Sequence, residues 1–186
     1  MGKKGTFSGN PKTEWLVDEN GADRNMRLLE DFSFTDPDGR VWLAPAGATV
    51  DGASIPRPLW VIVGSPYTDD YRRASVVHDI ACGSPDVDRK QADVMFYYAC
   101  LSGGCTLDQA ALLYLGVRIG AWIGAVLPAD AMSSERLLFR EAPYAPSANE
   151  RFVQDKFQEI ALDMKSLPAN ATIADIDAVI QKHLQL

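Results

Sequence analysis

A chain of 186 residues with 47% hydrophobic and 23% charged residues has the length of one domain and the composition of a globular protein, which excludes disorder throughout and leaves room for a real core. Its 18 basic and 25 acidic residues give a net charge of -7, so no overall positive field draws phosphate backbones and no nucleic-acid partner is expected. Two histidines, His78 and His183, and three cysteines, Cys82, Cys100 and Cys105, are the whole stock of imidazole and thiol. An odd cysteine number without a CxxC pair argues against a disulfide framework and for a reducing compartment.

Residues 1–11 are polar and carry two lysines with no apolar run behind them, which predicts a flexible start without a cleavable signal peptide. TEWLV, MRLLEDFSFTD and RVWLA then read as short strands, separated by turn chemistry at Asn20-Gly21 and at Asp36-Pro37-Asp38-Gly39. They predict a small antiparallel sheet with a hairpin across Asp38-Gly39. The segment VDGASIPRPLW, rich in Gly, Pro and small residues, reads as a structured loop ending in a helical turn near Pro58.

From Asp69 the spacing turns helical, with acids in the first turn and Ala74, Val77 and Ala81 on one face, until Gly83-Ser84-Pro85 stops it. A second helix follows with Asp86 or Asp88 as N-cap and runs to Gly103-Gly104. A third starts at Thr106, whose spacing to Gln109 fits a capping box, and runs to Pro128. This third helix is apolar enough to raise a membrane reading, but Arg118 near its middle would cost ~2.5–3.5 kcal/mol inside a bilayer. It is expected to be a central core helix whose Gly116, Gly120 and Gly124 let another helix approach closely. Residues 140–149 read as a Pro-bearing linker, and two amphipathic helices should follow, the second capped by Thr172 and Asp175. The expected architecture is thus an α+β fold: one domain over 12–139, a linker, and a C-terminal helical appendage over 150–186.

Chemistry points to the first helical hairpin. His78 and Asp93 are equidistant from a turn near residue 85 and should face one another, an imidazole-carboxylate pair of the general-base type. Asp79 lies about 100° further round the helix, free to take a cation or a backbone amide. Cys82 is one turn from His78 on the same face and opposite Arg89, and reads first as a buried small residue. Asp51 and Ser54, in the loop before, can converge on the same place. A metal-dependent phosphohydrolase of the HD type is disfavoured because its further histidines are missing; a Ser-His-Asp triad through Ser54 stays open as an alternative, though no GxSxG elbow supports it.

Through VDGASIPRPLW, YRRASVVHDIAC, DRKQADVMFYYA and LLYLGVRIGAW, over about residues 30–125, the sequence resembles a family of uncharacterised bacterial and tailed-phage proteins. Its marks are a D-x-x-S-x-P loop, an H-D helix and an R-x-x-A-D helix. That resemblance implies synthesis in a bacterial cytoplasm and export without a signal peptide by a type VI-like or contractile-injection route. It further implies a non-enzymatic effector or phage accessory protein, meeting a secretion-tube or chaperone protein through residues 140–186. The hairpin also looks like the catalytic hairpin of bacterial phospholipase A2 enzymes. This second likeness implies a calcium-assisted ester hydrolase that touches membranes only transiently, with His78 activating water, Asp93 orienting it, and Asp79, then Asp51, as calcium ligands.

Overall fold

A computed structural model describes residues 4–17, 25–64, 69–126 and 147–184. Among these residues six short strands come first: β1 (Thr6–Phe7), β2 (Thr13–Trp15), β3 (Met26–Leu28), β4 (Phe32–Thr35), β5 (Val41–Ala44) and β6 (Thr49–Val50). They form two antiparallel sheets of three strands, ordered β1-β4-β5 and β2-β3-β6, rather than one. The stretch MRLLEDFSFTD is therefore not a single strand. It breaks at Leu29-Glu30-Asp31, where the Asp31 carboxylate accepts the Ala46 amide at 2.8 Å and the chain passes from one sheet to the other. The flexible start expected over residues 1–11 is also corrected, since Thr6 and Phe7 pair with Thr35 and Phe34 and the Phe7 ring stacks 5.7 Å from that of Phe32.

The hairpin across Asp38-Gly39 forms as its turn residues dictate. Asp36 Oδ1 accepts the Asp38 and Arg40 amides, Gly39 takes a φ of +87° that favours glycine, and Asp36 Oδ2 accepts the Trp42 indole N–H at 2.9 Å. Period-two alternation then points Phe32, Phe34, Trp42 and Ala44 into the core and leaves Val41 and Leu43 outside.

Among the described residues, six helices follow the turn at Arg57–Leu59: α1 (Trp60–Val63), α2 (Arg72–Gly83), α3 (Arg89–Gly103), α4 (Leu107–Val126), α5 (Ala148–Met164) and α6 (Ile173–Leu184). The acids expected in the first turn of α2 stand just before it, in a 3-10 turn over Asp69–Tyr71. Asp88 is the N-cap of α3, accepting the Gln91 amide at 3.0 Å, and the Thr106–Gln109 and Thr172–Asp175 pairs close their capping boxes. α2 packs on α3 and on β5, while α4 is covered by α3, α5 and α6.

By length and composition α4 could cross a membrane, yet it is the central helix here, with Leu113, Tyr114, Val117 and Ile119 buried inside the protein. Its glycine stripe serves a different neighbour from the helix expected. A Cβ on Gly120 would stand 2.2 Å from the Ser54 carbonyl oxygen and one on Gly116 3.3 Å from Ile55 Cγ2, so the stripe admits the loop over 53–56. The C-terminal helices lie on the same core: Val153, Phe157, Ile160, Ile176, Ile180 and Leu184 are buried with the rest. Of the expected linker, residues 140–146 lie outside the described residues. Ser147 is already the N-cap of α5, with a capping box to Glu150, so that helix starts earlier than the expected boundary.

Candidate functional site

The α2–α3 hairpin brings His78 and Asp93 together as its symmetry predicts. His78 Nε2 donates to Asp93 Oδ1 at 2.8 Å, and both side chains are 0% exposed. Asp93 takes two more donors: Arg89 Nε on Oδ1 at 3.0 Å, one turn earlier on α3, and Arg118 Nη1 on Oδ2 at 3.1 Å, from the middle of α4. Burial would raise Asp93, but the His78 hydrogen bond and the charges of His78, Arg89 and Arg118 outweigh it and hold the carboxyl below its usual range. His78 moves the other way on the pH scale from an ordinary paired imidazole. Its burial outweighs the Asp93 hydrogen bond and charge, so its pKa is lowered and the ring stays neutral. Since a carboxylate only accepts, the proton of that neutral ring is on Nε2, and Nδ1 carries a lone pair.

Nδ1 faces Cys82. The sulfur lies 3.7 Å from Nδ1 and 3.4 Å from Nε2, and the Ser54 hydroxyl of the D-x-x-S-x-P loop hydrogen-bonds to Cys82 from the other side. Cys82 and Ser54 are half-buried, and the Arg89 side chain is 35% exposed, so this end of the network meets the surface while His78 and Asp93 do not. Burial, more than any charge, pushes the Cys82 thiol up to about 11. Arg89 Nη2 is buried with no partner among the described residues.

Asp79 turns away from this group. Its Oδ2 accepts the Asp51 amide at 2.8 Å and the Gly52 amide also reaches it, so it ties the loop to α2. Asp51 and Asp79 line an open cleft of about 600 Å3 with Asn25, Thr49 and Ile80. Burial first, then the Asp51 charge, push Asp79 up to about 6 against the pull of the two amides. Two carboxyls, one of them already engaged by the loop, fall well short of the six or more oxygens that calcium takes. The residues present therefore fit loop anchoring better than a calcium site.

Asp79 also carries a testable pH dependence. Because folding raises its pKa from 3.8, its contribution to stability is complete below about pH 4 and is lost as pH rises through 6. Asp79→Asn keeps an oxygen for the Asp51 amide without the buried charge. It should be more stable than wild type by about 1 kcal/mol at neutral pH, with the difference closing toward pH 4. Urea unfolding at both pH values checks this, and an unchanging difference would remove the buried charge as the cause.

Donor atoms of His78, Cys82 and Asp93 lie within 4.8 Å of one another, the spacing of a soft metal site. The surroundings oppose a cation, since Asp93 already holds two guanidinium groups and the imidazole proton. The network runs on into α4 and α6, where Asp177 takes the Tyr114 hydroxyl at 2.7 Å and pairs with Lys90 at 2.6 Å, with Arg118 Nε 3.9 Å away. Sequence reasoning saw Arg118 only as an obstacle to a membrane span and missed Tyr114, Lys90 and Asp177. The available signal was physical: a buried charge in an apolar helix requires a counter-charge. His183 belongs to none of this, its ring nitrogens meeting Glu159 and Asp163 across the α5–α6 surface.

Residues 26–117 match the protein family of unknown function DUF1353. That match covers just under half of the chain. It runs from β3 to one residue short of Arg118, and so contains the loop and the hairpin that build the site. Two curated relatives, both uncharacterized proteins of Sinorhizobium fredii (strain NBRC 101917 / NGR234), are similar over much the same length. Protein y4jT is 37% identical over 115 residues, 61% of this chain and 33% of its own; y4iH is 35% identical over 116 residues, 62% of this chain and 48% of its own. The chain thus spans about a third and about half the length of these relatives. No solved structure matches it.

Proposed function

We propose that this chain is a hydrolase of ester-type acyl bonds in which Cys82 is the nucleophile and the His78–Asp93 pair its base. The observation that supports this reading is the contact of Cys82 Sγ with the His78 ring, 3.4 Å from Nε2 and 3.7 Å from Nδ1, where Asp93 holds Nε2 and only the sulfur reaches toward solvent. Water activation of the phospholipase A2 kind needs a water-facing imidazole nitrogen, and a ring with 0% exposure offers none. The ring acts instead through the thiol. At neutral pH the thiol is protonated and the imidazole neutral, so once the Cys82 side chain turns onto the Nδ1 lone pair the proton passes from Sγ to Nδ1 as sulfur bonds to the acyl carbon. Ionised Asp93 holds the resulting imidazolium, and the orphan Arg89 Nη2 supplies a donor for the oxygen that gains charge. The departing alkoxide takes the proton from Nδ1 and leaves as alcohol. Water then cleaves the thioester, returning the thiol and releasing the carboxylic acid.

Release of nitrophenol from short-chain nitrophenyl esters, and of fatty acid from mixed phospholipid vesicles, tests the reading. Cys82→Ala should lose at least about 100-fold in kcat/KM with its melting midpoint unchanged, and a calcium chelator should leave wild-type turnover unaffected. An inactive wild type, or a Cys82→Ala variant with wild-type turnover, refutes it.

The complete burial of His78 and Asp93 favours a second reading, in which the network only holds the fold and the chain is a secreted bacterial effector or injection accessory protein. Because the apolar faces of α5 and α6 are spent on the core, Phe152 (48% exposed) and Leu162 (62%) are, among the described residues there, the large apolar side chains left to present to a secretion-tube or chaperone protein. Phe152→Ser combined with Leu162→Ser should abolish capture of such a partner without changing the melting midpoint. Undiminished capture counts against it.

A further inference from the structure

The turn that ends α3 presses two cysteines together. Gly104, at a φ of +124°, sends the chain back so that the Cys100 carbonyl accepts the amides of both Gly104 and Cys105, the latter at 3.1 Å. In a helix ending of this kind, the side chain just beyond the left-handed residue packs onto the last turn of the helix. Here both contacting positions are cysteine, each buried, and the Cys100 thiol is hydrogen-bonded to that of Cys105. The turn has little freedom to separate them, because a Cβ on Gly103 would stand 2.1 Å from the Asp70 carbonyl oxygen and the backbone at Gly104 suits glycine. A backbone bridge between residues i and i+5 also brings the two Cα atoms into the range a disulfide spans, roughly 4.4–6.8 Å.

We propose that Cys100 and Cys105 form an intramolecular disulfide across the α3–α4 turn when the chain meets a disulfide oxidant, leaving Cys82 as the free thiol. The reaction is two thiol–disulfide exchanges. Cys105 attacks one sulfur of a small disulfide such as oxidised glutathione and expels one thiol. Cys100 then attacks the Cys105 sulfur of that mixed disulfide and expels the second. The protein gives up two protons and two electrons, and the oxidant's disulfide becomes two thiols. Cys100 is the resolving partner because its complete burial holds its thiol protonated, whereas Cys105 retains 6% exposure. The odd cysteine count, which argued against a disulfide framework, is then one pair at a turn plus one thiol elsewhere.

The test equilibrates the reduced full-length chain with oxidised glutathione, alkylates the remaining thiols in denaturant, and maps the tryptic peptides by mass. Peptide 91–118, which holds both cysteines, should appear unalkylated and lighter than its reduced form by two hydrogens, about 2 Da, while Cys82 in peptide 74–89 is alkylated. Dithiothreitol should reverse the loss. Cys82→Ser should leave the pairing intact, and Cys105→Ser should leave Cys100 unbridged. Two alkylated or two separately glutathionylated cysteines in peptide 91–118, or a bridge that includes Cys82, overturn the proposal.

Discussion

Asp93→Ala is expected to lower stability by about 3–5 kcal/mol, because it strips the counter-charge from groups that cannot reach water. Asp93 is the acceptor for His78 Nε2, Arg89 Nε and Arg118 Nη1 at once. Arg89 can swing outward, being 35% exposed, but Arg118 is 4% exposed in the middle of α4 and must stay. Its nearest remaining carboxylate is Asp177 at 3.9 Å, and that group already serves Lys90 and Tyr114. The pH dependence has the same sign at both partners. Folding lowers the pKa of Asp93 and of His78, so the stability each contributes is present above its unfolded pKa and is lost as pH falls. Asp93→Ala should therefore show its full deficit at neutral pH and a smaller one in acid. Urea unfolding followed by circular dichroism measures it; a loss below about 1 kcal/mol at neutral pH would mean that Asp177 carries Arg118 alone.

Gly120→Ala should cost about 1–3 kcal/mol although alanine is the better helix former. The added Cβ would lie 2.2 Å from the Ser54 carbonyl oxygen, a backbone atom held in the loop whose Ile55 is 4% exposed. Either α4 moves from the loop or the loop moves from α4, and the second displaces Ser54 from Cys82. Gly124→Ala is the matched control. Nothing lies within 4 Å of a Cβ there, the residue is exposed, and helix propensity alone should stabilise that variant by up to about 1 kcal/mol. Melts of the two variants should move in opposite directions, and equal shifts would show that the stripe faces nothing.

Residues that interact locally were legible in the sequence. The Asp38-Gly39 hairpin, the Asp88 cap, the Thr106 and Thr172 boxes and the facing of His78 by Asp93 follow from turn chemistry and helix period, which need only neighbours along the chain. Contacts between distant segments were not legible. Nothing local says that Met26–Leu28 and Phe32–Thr35 belong to different sheets, since their alternation is continuous; the break comes from Asp31 capping a loop fifteen residues on. The glycine stripe on α4 announced a close approach correctly but could not say that Ser54 and Ile55, some sixty residues earlier, make it. At the site, Asp79 was expected to bind a cation or an amide, and it binds the amide of Asp51. Cys82, first read as packing, stands between the Ser54 hydroxyl and the His78 ring, a position set by the loop's path and invisible to helical periodicity.

The state of the His78 ring decides between a base held ready behind Cys82 and an ordinary exposed imidazole. Nitrogen-15 NMR of the ring reads it directly and needs no substrate. His78 should keep a protonated Nε2 and an unprotonated Nδ1 at neutral pH and take its second proton only below the ordinary value, while a solvent-accessible imidazole would titrate near about 6.5. A His78 ring that gains its second proton near pH 6.5, or that carries its proton on Nδ1, would contradict both the sealed pair and the thiol chemistry proposed from it.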